Sequence, residues 1–183
     1  MGLGVFLADR SLHDDAVRTR AVRRFRREVP LVPIAEARGL CRVAGRVRVL
    51  SPVPGYPKHA AFCARSVSTT TELRGRHGRE RTVTVTNVTD VTHVGRFAVV
   101  DDSGVAVVED AGAVVWQGDT EILRRGTPGS IDVKEETRVE VVGTADPGPL
   151  PQELSGYGAY RGQGTAVFMR SQGSEKVFVV VFG

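Results

Sequence analysis

The four histidines, His13, His59, His77 and His93, fall in four different segments. A zinc site needs three or four converging ligands. The one close His/Cys pair, His59 and Cys63, has a spacing of four that does not converge on a strand or loop. No metal site and no cofactor are expected. The chain holds neither a Gly-x-Ser-x-Gly nucleophile elbow nor a Gly-Lys-Ser/Thr phosphate loop, which removes the common hydrolase and nucleotide-binding signatures. Asp101-Asp102 has the look of a carboxylate pair for acid/base work. The Ser103-Gly104 that follows makes it a hairpin turn instead, because Asp satisfies turn backbone and Gly ends it. The stretch Gly156 to Gly164 carries four glycines in nine residues. A phosphate-cradling Gly-x-G loop needs a strand before it and a helix after it. Here prolines precede and a strand pattern follows, so a rim loop is expected. On it Tyr157, Tyr160 and Arg161 are residues suited to contacting a partner.

A second candidate surface lies near the N-terminus. Ser11 with Asp14 has capping-box spacing, and the apolar residues Val17, Ala21 and Phe25 share one stripe of a helix ending near Glu28, ahead of Pro30. Arg20, Arg23 and Arg27 fall on the opposite face, flanked by Arg24 and Arg26. Such a helix either docks on the body of the protein and solvates its arginines, or meets an anionic membrane surface, a nucleic acid or an acidic partner. Arg20, Arg23, Arg24 and Arg27 are the residues that would make that contact. Charge is divided accordingly: residues 1–82 hold 17 Lys/Arg against 7 Asp/Glu and residues 83–183 hold 8 against 14, so +10 and −6 give the net +4.

The elements that must position these residues are mainly strands. The 183 residues include 31 Val and 21 Gly, and valine packs well on pleated surfaces while losing rotamer freedom in helices. A short helical turn over Ile34 to Ala37 should stop at Gly39. Beyond it Val43, Val47 and Val49 alternate with Arg42, Arg46 and Arg48, the period-two signature of a half-buried strand. Ser51 to Pro57 reads as a loop. Strands are expected over Ala60 to Leu73 and Thr82 to Val94, separated by a charged turn, Arg74 to Glu80. The shifted parity of Val88, Val91 and Val94 suggests bulges near Asn87 and Asp90. Phe97 to Val100 and Val105 to Glu109 form a hairpin about Asp101 to Gly104. Further strands follow at Ala113 to Trp116, Ile131 to Val133 and Arg138 to Val142. Ala166 to Met169 is expected to pair with Val177 to Phe182 across a turn at Ser171 to Ser174. The terminal run is apolar on both faces, as in a covered central strand. The fold expected is mainly β: a small OB-like or Greek-key β-barrel over residues 39–183, preceded by an N-terminal amphipathic α-helix and linker over 1–38.

Three blocks resemble the GIDE domain, the β-rich module of MAPL-type membrane-associated ubiquitin ligases and of bacterial proteins. They are Val43-Ala-Gly-Arg-Val-Arg through Leu50-Ser-Pro-Val-Pro-Gly, Phe97-Ala-Val-Val-Asp-Asp-Ser-Gly-Val-Ala-Val-Val-Glu-Asp-Ala-Gly-Ala, and Val139-Glu-Val-Val-Gly-Thr-Ala. The order and spacing hold across about residues 28 to 182. The chain departs from the family in having Pro57-Lys58-His59 after the Ser-Pro loop, where members carry a Cys, and it has no RING and no transmembrane helix. The resemblance therefore implies a non-catalytic module that engages proteins or peptides near a membrane, with no ligase activity and no catalytic residues to carry over.

Taken together, the residues point to a binding or scaffold module with a protein partner or a second copy of itself. An OB-type nucleic-acid binder is the alternative, and an enzyme comes third. Aromatics are only 6%, few for a base-stacking surface. The longest apolar run, Val177 to Phe182, is far shorter than the roughly 20 residues that cross a bilayer. No export or lipid signal is visible, and two cysteines outside any Cys-x-x-Cys pattern fit a reducing compartment. The location expected is cytoplasmic, with membrane-peripheral association as the variant of it.

Overall fold

The computed structural model describes residues 24, 27–76, 79–117, 129–155, 164–172 and 176–182. It is mainly β. Ten strands fall into a seven-stranded sheet and a three-stranded one. The strands are β1 (Gly39–Ser51), β2 (His59–Arg76), β3 (Arg79–Val94), β4 (Arg96–Val100), β5 (Val105–Val108), β6 (Val114–Gln117), β7 (Gly129–Lys134), β8 (Arg138–Pro149), β9 (Thr165–Arg170) and β10 (Phe178–Val181). Two 3-10 turns, Ile34–Glu36 and Gln152–Leu154, lie between the strands, Arg24, Arg27 and Glu28 are α-helical, and Gly39 at φ 60° ends the first connection.

β1 carries the alternation read from its valines: Cys41, Val43 and Val47 are buried, and the arginines between them face the other way. Its first half, Gly39 to Arg46, pairs antiparallel with β8, and its second half, Arg46 to Ser51, pairs antiparallel with β4. The change of partner falls at Gly45 and Arg46. β4 then pairs with β5, β5 runs parallel to β9, β9 pairs with β8, and β8 returns to β1. Five strands thus close a ring of pairings.

The C-terminal strands are arranged differently from the expected hairpin. β9 and β10 do not pair with each other. Both run antiparallel to β8, β9 along Thr144 to Pro149 and β10 along Val139 to Val142. They form two segments of one line, interrupted at residues 171–177. β5 and β6 are interrupted in the same way, and each runs parallel to one of those segments. The two interruptions are tied together: Ser171 Oγ donates to Asp110 Oδ2 and accepts from the Val177 N–H at 3.1 Å, while Val114 N–H donates to the Val177 carbonyl at 2.8 Å. Ser171 therefore ties the end of β9 to Asp110 and Val177, and a turn signal alone does not show that the strands on either side of it pair elsewhere. The terminal run is the covered interior strand expected, since β10 lies between β8 and β6 with Val179 and Val180 fully buried.

The three-stranded sheet has the order β3-β2-β7. β2 and β3 keep one register without interruption from Ala61↔Val94 to Arg76↔Arg79. The bulges expected near Asn87 and Asp90 are absent: those residues pair with Ser68 and Arg65 in sequence with their neighbours. The expected charged turn is also corrected, because Arg74 to Arg76 and Arg79 to Arg81 belong to the ladder. Ala61, Cys63, Ile131 and Val133 from the inner face of this sheet join the ring's Val43, Val47, Phe97, Val99, Val139, Val141 and Met169 in the main core, with Ile34 and Ala37 closing it. A smaller cluster, Ala98, Val105, Val107, Leu154, Ala166 and Phe168, covers the outer side of β4, β5 and β9.

Candidate functional site

The described surface with the most recognition chemistry is the outer face of the three-stranded sheet at its base. Residues directly opposite on antiparallel strands share a face. The register therefore sets Phe62 beside His93 and Asp132, and Ala64 beside Val91 and Ser130. The Ser-Pro loop adds to this face through a turn that needs Pro54 and Gly55: Tyr56 N–H donates to the Val53 carbonyl at 2.8 Å, and Gly55 takes φ 82°, the left-handed position at which glycine is favoured. The turn lays Tyr56 over Phe62 with ring centroids 4.8 Å apart at 21°, and His59 meets both rings edge-on. His59 Nε2 lies 3.3 Å from Asp132 Oδ1, whose other oxygen is 3.7 Å from Lys134 Nζ. Tyr56 and Val91 stay exposed, at 39% and 45%. Three rings, an exposed valine and a small charged fringe suit a partner that offers both apolar side chains and polar backbone.

Among the described residues nothing pairs with the outer backbone edge beside this face. β3 is the edge of its sheet. β7 supports β2 only as far as Arg65↔Gly129, and beyond that eleven residue pairs, Ser66↔Thr89 to Arg76↔Arg79, continue as a two-stranded ribbon. Of the first part of this arm, Ser66, Ser68, Thr69, Thr70 and Thr71 are exposed and only Val67 is half-buried.

Two other surfaces carry less. The outer side of β4 and β5 is closed over by Leu154, which is fully buried, and by Phe168. Arg96 fixes the turn that bears Leu154, with Nε 2.8 Å from Glu109 Oε1 and a terminal nitrogen 2.8 Å from Glu153 Oε1. An open groove of about 610 Å³ beside Leu31, Val32, Pro33 and Ala44 ends at Asp101 to Ser103. The Asp101 carboxylate there is consumed by structure: Oδ1 accepts from Ser103 N–H, Ser103 Oγ and Gly104 N–H at 2.7 to 2.8 Å, and Oδ2 accepts from Ile34 N–H at 3.1 Å. It is a turn residue, as its sequence context suggests.

Among the sequence-derived contact residues, Arg24 is exposed and helical, with Nε 2.7 Å from Glu28 Oε2, and Arg27 is exposed and helical. Arg20 and Arg23 lie outside the described residues, as do most of the amphipathic helix, the glycine-rich residues 156–163 with Tyr157, Tyr160 and Arg161, and His13 and His77. Cys41 and Cys63 are buried free thiols, and Thr92 Oγ1 donates to Cys63 Sγ at 3.3 Å. Burial pushes the Cys41 thiol pKa up, partly offset by a backbone hydrogen bond at Arg38. Among the described residues no group of three or more His, Cys, Asp or Glu is placed to hold a metal ion, and no helix is long and apolar enough to cross a membrane. The Tyr56, His59, Phe62 set went unread in the sequence, although Pro54-Gly55 ahead of three rings at a spacing of three was the available signal. Comparison with protein-family models, with curated proteins and with solved structures returns no match.

Proposed function

We propose that this chain is a non-catalytic binding and scaffold module of the GIDE type, an OB-like barrel that presents the base of the β2–β3 arm to a protein or peptide partner. The observation that carries this reading is the edge position of β3 alongside the exposed Tyr56 and Val91 and the half-buried Phe62. An extended peptide adds to such an edge through main-chain hydrogen bonds, and alternate side chains of the added strand reach the neighbouring face. The ring order β1-β4-β5-β9-β8, with β5 parallel to β9, supports the OB-like description. In OB folds the outer face of the second and third strands takes oligonucleotides. Here the matching face of β4 and β5 is filled by Leu154 and Phe168, which favours a partner elsewhere. The resemblance adds a cytoplasmic, membrane-peripheral assembly as the setting, with the basic N-terminal helix as a second contact.

A photo-crosslinking residue placed at Val91 in cells tests the reading, with the same residue at Leu40, exposed on β1, as control. A discrete protein adduct at position 91 and none at position 40 is the expected result. Equal labelling at both positions, or none at position 91, removes the base of the arm as the docking surface.

A further inference from the structure

We propose that the tip of the β2–β3 arm is a second binding site, for duplex nucleic acid, independent of the partner surface at its base. Past Arg65 the arm is, among the described residues, a ribbon of two strands with no third strand paired to it, and its described side chains add nothing to either core cluster. A two-stranded ribbon is marginally stable by itself in water, so packing does not explain its length. Eleven pairs at about 3.3 Å per residue project it roughly 35 Å beyond β7.

The register then places like charges opposite one another. Arg74 pairs with Arg81 and Arg76 pairs with Arg79, so four arginine positions fall on one face at the end of the ribbon, with Glu72 one pair further back and Glu80 on the other face opposite Gly75. Directly opposed like charges destabilise a ladder. A ribbon built for its own stability would alternate their sign. A polyanion at the tip turns the same repulsion into attraction.

The remaining residues choose among polyanions. Between Ser66 and Thr89 there is no Phe, Tyr or Trp and there are seven threonines, Thr69, Thr70, Thr71, Thr82, Thr84, Thr86 and Thr89. Single-strand binding draws on aromatic stacking, and membrane-surface binding draws on apolar residues at the contact. The ribbon has no Phe, Tyr or Trp ring, and from Arg74 to Arg81 it has no large apolar residue, Leu73 and Val83 standing behind the arginine positions. Arginine and hydroxyl side chains are the usual donors to phosphate, and the roughly 12 Å major groove of a duplex admits a two-stranded β-ribbon. The contact so formed is to the phosphate backbone and carries no sequence preference of its own.

The test is fluorescence anisotropy of the full chain with a labelled mixed-sequence DNA duplex of about 20 base pairs, the same sequence as a single strand, and phosphatidylserine vesicles, each at about 50 and 200 mM salt. The variants are Arg74→Gln/Arg76→Gln/Arg79→Gln/Arg81→Gln and, as control, Arg20→Gln/Arg23→Gln/Arg27→Gln. The tip variant should fold as the wild type does, since Gln keeps the length of the side chain and the register sets arginine positions opposite one another, and cooperative thermal unfolding of both variants checks this. It should bind the duplex at least about tenfold more weakly, with the slope of log K against log salt shallower by about 3 to 4, near 0.9 per phosphate contact. The control variant should keep most of the duplex affinity. No duplex binding by the wild type, equal binding by the tip variant, tighter binding to the single strand, or binding to vesicles alone would each overturn the proposal. Crosslinking at Val91 in the tip variant separates the two sites: retained adduct with lost duplex binding is expected, and loss of the adduct together with duplex binding would mean a single shared site.

Discussion

Gly45 lies against the backbone of Val100 so closely that a Cβ on it would stand 2.4 Å from the Val100 carbonyl oxygen. This is where β1 leaves β8 and takes up β4, the step that closes the ring. The obstructing atoms are backbone, so no side-chain rotation relieves them. Gly45→Ala should lower stability by about 2 to 3 kcal/mol, the scale of overpacking and local strain. Denaturant unfolding checks this, and an unchanged midpoint would show that the strand crossing is looser than described.

Leu154 seals the outer cluster from a short 3-10 turn, with no neighbouring strand to collapse into its place. Leu154→Ala should cost about 2 to 5 kcal/mol, as for other buried leucines that leave a cavity. Increased binding of a hydrophobic dye in the native baseline would mark the uncovered β4–β5 face, and an unaltered melting curve would argue that the turn only rests on it.

The Glu153 carboxyl is held below its usual range by a hydrogen bond within its own backbone first and by Arg96 second. A depressed carboxylate pKa contributes stability that is present above the unfolded value and fades as pH falls through the folded one. Arg96→Ala should therefore reduce the loss of melting temperature on acidification through the carboxylate range, while Arg96→Lys keeps part of it. A variant with the wild-type acid dependence would place the acid sensitivity elsewhere.

The Cys41 thiol, buried in the main core with its pKa raised, should react with iodoacetamide at mildly alkaline pH at least about tenfold more slowly in the native chain than in urea. Mass spectrometry of the labelled chain reads this site by site. Rapid native labelling of Cys41 would show that the Gly39 end of β1 opens readily.

Strands are legible from local patterns where one face is buried and the partner is near in the chain. Val43 and Val47 alternate because β1 is covered on one side, and Asp101 to Gly104 forms its turn from its own side chains. What depends on distant partners was not legible. Nothing local tells that β1 divides its pairing at Gly45, or that β9 and β10 share one edge of β8 with Ser171 holding Asp110 and Val177. The arm was misread for a more specific reason: Arg74 to Arg81 has the polarity of a turn, and repelling arginines argue against pairing. The aromatic face was missed because His59 was weighed only as a metal ligand, while the Pro54–Gly55 turn sets it beside Tyr56 and Phe62.

The claim that the arm is displayed for binding and is not part of the fold is tested most directly by shortening it. Ser66 and Thr89 are opposite one another, so replacing residues 67–88 by Asn-Gly closes a tight hairpin at that pair. Because the arm's described side chains add nothing to the core clusters, the melting temperature of the shortened chain should stay within about 4 °C of the full chain, equivalent to about 1 kcal/mol for a protein of this size. A chain that no longer unfolds cooperatively, or melts far lower, would make the arm a structural element and contradict its role as a binding device.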